Sequence, residues 1–295
     1  MADGRYRAFA ATVELQSLTK AAEQLGYTQS GVSHLINALE NEMGFPLLVR
    51  SRAGVYPTEE GRAILPYIRR LLSAADDIGH KADDIRGLTS GTVRIGTFSS
   101  VAIQWLPKLL HSFAQAHPGV GTEITNDTYS VLETELVEDR VDCAFVTLPS
   151  RREFDVTLLR RERLMAILPM EHPLAARERL TPDDLKDEPF IVPAEGTNYD
   201  IGKLFTQAGI APSIRFDMSD DYAAVAMVRQ NLGYTILAEL MVYDLPMERL
   251  AVVPLVGSAR EIGIAVNRDR YLSPAAKAFV SHVRSVFSAE IPDDT

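Results

Sequence analysis

The chain is poor in cysteine, in tryptophan and in positive charge, and the first of these shortages excludes whole classes of function. One cysteine among 295 residues rules out an intramolecular disulfide framework and any cysteine-built zinc centre. That residue, Cys143, sits in Val141-Asp142-Cys143-Ala144-Phe145, an apolar strand in which a thiol serves as a small buried hydrophobe rather than a redox sensor. The six histidines, His34, His80, His111, His117, His172 and His282, show no metal-ligand spacing, so no metal is expected. No apolar run reaches the ~18 residues of a membrane span. Charges interrupt the apolar periodicity of the first fifteen residues, which do not read as a secretory signal. The expected compartment is a reducing cytoplasm, without a membrane partner. There is no G-x-S-x-G, no G-x-G-x-x-G and no P-loop, so neither an enzyme nor a cofactor is expected.

Positive charge is the third shortage. The formal net charge is −10, from 30 basic and 40 acidic residues. A nucleic-acid binder usually carries a basic footprint. In residues 1–57, Arg5, Arg7, Lys20, Arg50 and Arg52 are matched by Asp3, Glu14, Glu23, Glu40 and Glu42. Any DNA affinity must then come from local arrangement, and its sequence-independent part should be weak.

What is present is organised around Ser17–Arg50. Ala21, Ala22 and Leu25 form an apolar stripe that Gly26 ends. Thr28 is a suitable N-cap for a second helix whose buried face is Val32, Leu35, Ile36, Leu39 and Met43. The opposite face carries Gln29, Ser30, Ser33, His34 and Asn37. A short polar face at a helix N-terminal end fits a major groove, where amides and hydroxyls reach base edges and phosphates. With a helix over Arg5–Glu14 these segments make a three-helix core. Leu47–Val49 and the return through Val55 predict a hairpin wing bearing Arg50 and Arg52. A wing arginine can enter a minor groove; the alternative is a solvated loop arginine.

Thr58 opens a long helix, to about Arg86. Ile64, Ile68, Leu71, Ala75, Ile78, Ala82 and Ile85 repeat at alternating spacings of four and three, an a/d seam. Such a seam with no neighbouring partner in sequence predicts pairing with a second copy; packing onto the rest of its own chain is the alternative. Leu88–Gly91 is a hinge. Beyond it, ten short apolar strands between Val93 and Val266 alternate with helices, one of them expected over Ala102–Gln115, which predicts α/β layers with largely parallel sheets. About 200 residues suffice for two small lobes with a ligand between them.

These motifs resemble the LysR-type transcriptional regulators over nearly the full length. The resemblance is carried by Ser17–Glu23, Thr28–Ile36, Leu39-Glu40, Gly44, Leu47–Arg50 and Thr58–Gly61, and more weakly by Gly91–Gly96 and Leu232–Leu237. It implies a multidomain α/β protein: a winged helix-turn-helix over 1–58, a linker and dimerisation helix over 59–88, and an effector-binding domain over 89–295. That domain is expected to be two-lobed, of the periplasmic-binding-protein type (type 2). Lobe one should span about 91–162 and 268–295, and lobe two about 163–267. The implied partners are double-stranded promoter DNA, a small-molecule effector, further copies of the chain (a homotetramer built as a dimer of dimers) and RNA polymerase. The implied function is ligand-responsive control of promoter geometry and transcription. His34 and Asn37 stand where arginine or lysine is frequent in that family, which shifts the expected readout towards hydrogen bonds and the wing.

The expected effector is small, polar and anionic. Ser99 and Ser100 follow the first strand and precede a helix, a natural anion site. Thr128 and Thr147 follow the second and third strands, and Asn198 opens a helix in lobe two. Arg160 could reach an anion or form a solvated strand edge. The bland alternative for the hydroxyls and the amide is helix capping. A transport component would leave Ser17–Arg50 unexplained, and an enzyme would lack a nucleophile, metal or cofactor loop.

Overall fold

A computed structural model describes residues 2–51, 54–85, 91–218, 220–243, 245–246 and 248–290; side chains are described except at 2–3, 77, 80–81, 83–85, 195–198 and 289–290. The chain divides into two compact units, Met1–Leu88 and Thr89–Thr295.

The first unit contains α1 (Ala2–Leu15), α2 (Leu18–Leu25), α3 (Gln29–Met43), the hairpin β1 (Leu48–Ser51) and β2 (Gly54–Pro57), and α4 (Glu59–Ile85). Ser17 caps α2 by accepting from the Lys20 amide at 3.3 Å. Gly26 stops it in the left-handed region at φ 69°, where a side chain would be strained. Phe9, Ala21, Val32, Ile36, Leu39 and Leu47 are fully buried together. Glu40 fixes the turn after α3: one carboxylate oxygen accepts from the amides of Leu47 (2.7 Å) and Leu48 (3.1 Å). Thr58 caps α4 through the Gly61 amide at 2.9 Å. A Cβ at position 61 would lie 2.2 Å from the Leu47 carbonyl oxygen, so glycine lets the long helix approach the wing.

The seam on α4 requires a correction at its N-terminal end. Ile68 is 3% exposed, and Ile64, Leu65 and Leu72 pack with it into the unit's own core. Farther along, Leu71 and Ile78 are exposed, with Ala75 and Ala82 half-buried. The Ile85 side chain lies outside the described residues.

The second unit has two lobes. Lobe one is built on the five-stranded sheet β4-β3-β5-β12-β6, made of β3 (Gly91–Thr97), β4 (Val120–Asn126), β5 (Cys143–Thr147), β6 (Phe154–Glu162) and, much later, β12 (Arg260–Asn267). The helices α5 (Ser99–Gln104), α6 (Leu106–Ala116), α7 (Tyr129–Val137) and α11 (Pro274–Glu290) complete it. Lobe two holds the antiparallel sheet β10-β7-β11 and the parallel pair β8-β9. Its strands are β7 (Leu164–Pro169), β8 (Pro189–Val192), β9 (Ser213–Asp217), β10 (Thr235–Ala238) and β11 (Leu250–Pro254), and its helices α8 (Glu195–Ala208), α9 (Asp221–Arg229) and α10 (Glu239–Val242).

Three expectations are corrected here. The sheets are mixed, not largely parallel: β12 runs antiparallel to both β5 and β6. Because β12 completes the first sheet, lobe two ends before Arg260 rather than at 267. The helix expected over Ala102–Gln115 is two helices meeting at Trp105, because Pro107 sits in the opening turn of α6, where its missing N–H costs nothing.

Two crossovers therefore join the lobes, Glu162–Leu164 and Leu255–Arg260. They run side by side: the Leu164 amide donates to the Ser258 hydroxyl at 3.0 Å, and the Leu255 amide donates to the Leu164 carbonyl at 3.0 Å.

Candidate functional site

The polar end of α3 is the first candidate surface. Val32, Ile36 and Leu39 hold the helix down, which leaves Thr28, Gln29, Ser30, His34 and Asn37 exposed and Ser33 half-buried. Thr28 accepts from the Gly31 amide at 3.1 Å, and its hydroxyl lies 3.1 Å from that of Ser30. Arg50, on the wing, donates from Nη2 to the Ser33 hydroxyl at 2.9 Å. The wing and the helix thus share a polar contact. Arg52 lies outside the described residues.

The second candidate is a cavity of ≈ 350 Å³ between the lobes. Thr128, Ser130, Thr147 and Arg151 line it from lobe one and Tyr199 from lobe two. Tyr129 forms its inner wall, edge-on to Tyr199 with ring centroids 6.5 Å apart. Thr128 heads α7, yet its side chain makes no capping bond to that helix. Arg151 is turned towards Glu133, with Nε at 3.2 Å.

Behind the cavity lies a polar cluster at the crossovers. Arg260 and Glu162 are register partners of β12 and β6, with side chains 1% and 0% exposed. Arg260 donates from Nε to Glu162 (2.6 Å), from Nη1 to the Tyr129 hydroxyl (2.7 Å) and from Nη2 to the Ser100 hydroxyl (2.9 Å), and its guanidinium lies over the Phe98 ring at 5.3 Å. The other Glu162 oxygen accepts from the Leu240 amide at 2.7 Å, at the head of α10. Tyr129 donates to Asp200 of lobe two at 3.2 Å. Burial pushes the Tyr129 phenol well above its ordinary range, so it remains a donor. Burial also raises Asp200, partly offset by Arg260 and by the Tyr129 bond.

Of the residues expected at the ligand, Thr128 and Thr147 line this cavity. Ser100 is buried behind it on Arg260, and Ser99 is exposed and not part of the lining. The Asn198 side chain lies outside the described residues. Arg160 is corrected: it lines a different cavity, beside Trp105 and Tyr243. The sequence reading missed Tyr129, Asp200, Glu162 and Arg260. Only Tyr129 carried a signal, as the neighbour of Thr128 at a strand end. Among the described residues no group of three or more His, Cys, Asp or Glu could hold a metal ion, and no helix is long and apolar enough to cross a membrane.

Comparisons with known proteins bear on both surfaces. Residues 4–62 match the model of the bacterial regulatory helix-turn-helix protein, lysR family, and residues 86–288 match the LysR substrate binding domain. The chain is 34% identical over 278 residues to the probable HTH-type transcriptional regulator LrrA of Synechococcus elongatus, covering 93% of this chain and 94% of that protein. It is 30% identical over 287 residues to the uncharacterized HTH-type transcriptional regulator YvbU of Bacillus subtilis, covering 96% and 98%. Full-length OxyR of Pseudomonas aeruginosa, solved as a point variant, superposes with a TM-score of 0.78 at 20% identity over 96% of this chain and 95% of that one. CbnR, solved in complex with its target DNA, gives 0.65 at 24% identity over 97% and 99%. At these identities the structural likeness is one of fold.

Proposed function

The chain belongs to the LysR family of DNA-binding transcriptional regulators that carry a substrate-binding domain, and from that premise we propose how its own residues divide the work. The N-terminal half of α3 enters the major groove of promoter DNA with Thr28, Gln29, Ser30, Ser33, His34 and Asn37. Arg50 and Arg52 bring the wing to the backbone or minor groove. Leu71, Ala75, Ile78 and Ala82 pair α4 with a second copy, and two dimers assemble into a tetramer that engages RNA polymerase in the cytoplasm. The cavity between the lobes takes a small polar anion on the hydroxyls of Thr128, Ser130 and Thr147 and the N-terminal end of α7. The protein transmits this occupancy to DNA and performs no chemistry of its own.

The observation that carries the reading is the Arg50–Ser33 contact, which aligns the wing with a helix face that is polar and exposed. The test is retardation of a fragment of the chain's own upstream DNA. The wild type should retard it specifically, and Ser33→Ala with Arg50→Ala should weaken binding by about tenfold or more. Retardation by the double variant at wild-type concentrations would remove this face from the interface.

A further inference from the structure

Separating Arg160 from the interlobe cavity reveals a second one. It occupies ≈ 510 Å³ at the junction of α6, α11, β6 and α10, and shares no lining residue with the first. Its floor is apolar. Trp105 and Phe287 meet edge to face at 4.6 Å, and Leu240 closes one side. Its rim is cationic. Lys108 is exposed and Arg160 half-buried, with Arg160 donating to the Tyr243 hydroxyl at 3.3 Å. No aspartate or glutamate lines the cavity. Neither cation pairs with a carboxylate among the described residues, although acidic residues outnumber basic ones in the chain.

We propose that this cavity is a second ligand site, for an amphipathic monocarboxylate. The apolar body of the ligand packs on Trp105 and Phe287, and its carboxylate is held by Arg160 and Lys108 with the Tyr243 hydroxyl. The volume falls in the range of small-molecule pockets, which combine an apolar lining with a few polar groups. A guanidinium already oriented by a phenol is suited to a planar carboxylate. An ammonium or other cation would meet two like charges. A neutral hydrocarbon would leave both cations without a counter-charge. The head of α10 is bonded to Glu162, so the cavity wall is anchored at the crossovers.

The chain supplies its own probe, because Trp105 is its one tryptophan. Full-length protein is titrated with 3-phenylpropionate while tryptophan fluorescence is read. The expected result is a saturable change. Arg160→Gln with Lys108→Gln should weaken the apparent affinity by about tenfold or more, whereas Thr128→Val in the other cavity should leave it unchanged. The uncharged analogue 3-phenylpropionamide should bind as weakly to the wild type as the acid binds to the double variant. Thermal unfolding verifies that the double variant is folded; if it is not, Lys108→Glu, at an exposed position, replaces it and should weaken binding likewise. The proposal is overturned by the absence of a saturable response to both 3-phenylpropionate and hexanoate. It is also overturned by a response that survives loss of the two cations, or by one that disappears with Thr128→Val.

Discussion

Arg260 is the residue on which the sensing unit's polar interior turns. An arginine this deep is tolerated only when its donors are matched, since an unpaired buried charge costs several kcal/mol. Glu162, Tyr129 and Ser100 provide the matches, and Tyr129 hands the chain of bonds on to Asp200 across the lobes. Asp200 is the strained member. Burial holds its carboxyl above the ordinary range, so the folded state binds its proton more tightly than the unfolded chain does. Folding is therefore unpenalised below the ordinary aspartate value of ~3.9, and loses stability as pH rises through the folded value. Asp200→Asn, which keeps an acceptor for Tyr129, should raise the unfolding temperature at neutral pH, and the gain should vanish as pH falls towards 4. Unfolding scans across that range check it; a gain independent of pH would refute it. The hydroxyls at Thr128 and Thr147 were legible in the sequence because they follow strands. Arg260 was not. An arginine heading an apolar strand reads as a solvated edge until β12 is registered against β6 and Glu162 appears opposite.

At the scale of elements, α4 separates two uses of one periodicity. A coiled-coil seam and a core-facing stripe both repeat every three and four residues, so the sequence marks the face but not where one use yields to the other. In the fold the change falls between Ile68, in the core, and Leu71, which is 49% exposed. Leu71→Glu with Ile78→Glu should therefore lower the assembly state in sedimentation while leaving the N-terminal unit folded. Ile68→Glu should instead destabilise that unit by about 3 kcal/mol or more. Unaltered sedimentation of the first variant would mean that these exposed residues do not hold copies together. The helix-turn-helix was almost wholly legible, because its caps at Thr28 and Thr58 and the left-handed Gly26 and Gly44 are local signals. Strand direction in the sensing unit was not local. Whether β12 lies parallel or antiparallel to β5 depends on where the chain has been for the preceding hundred or so residues.

For the whole molecule, the charge balance sets the mode of DNA binding. Arg5 is engaged by Glu42, and Arg7 by Asp76. Lys20, Arg50 and Arg52 are the other cations of residues 1–57. A dimer using all three per chain should show a slope of log affinity against log salt no steeper than about −5. Retardation measured over a salt series tests this, and a much steeper slope would place phosphate contacts elsewhere on the chain. The lobe architecture also has a consequence in time. β12 lies between β5 and β6 in the sheet, yet it is synthesised only after the whole of lobe two. At ordinary elongation rates a nascent chain spends roughly 5–20 s with that slot empty, presenting unpaired strand edges to chaperones and to neighbouring nascent chains. The winged helix-turn-helix, complete within the first 85 residues, faces no such wait. Each molecule thus completes its DNA-binding unit before the sheet of its substrate-binding domain can close.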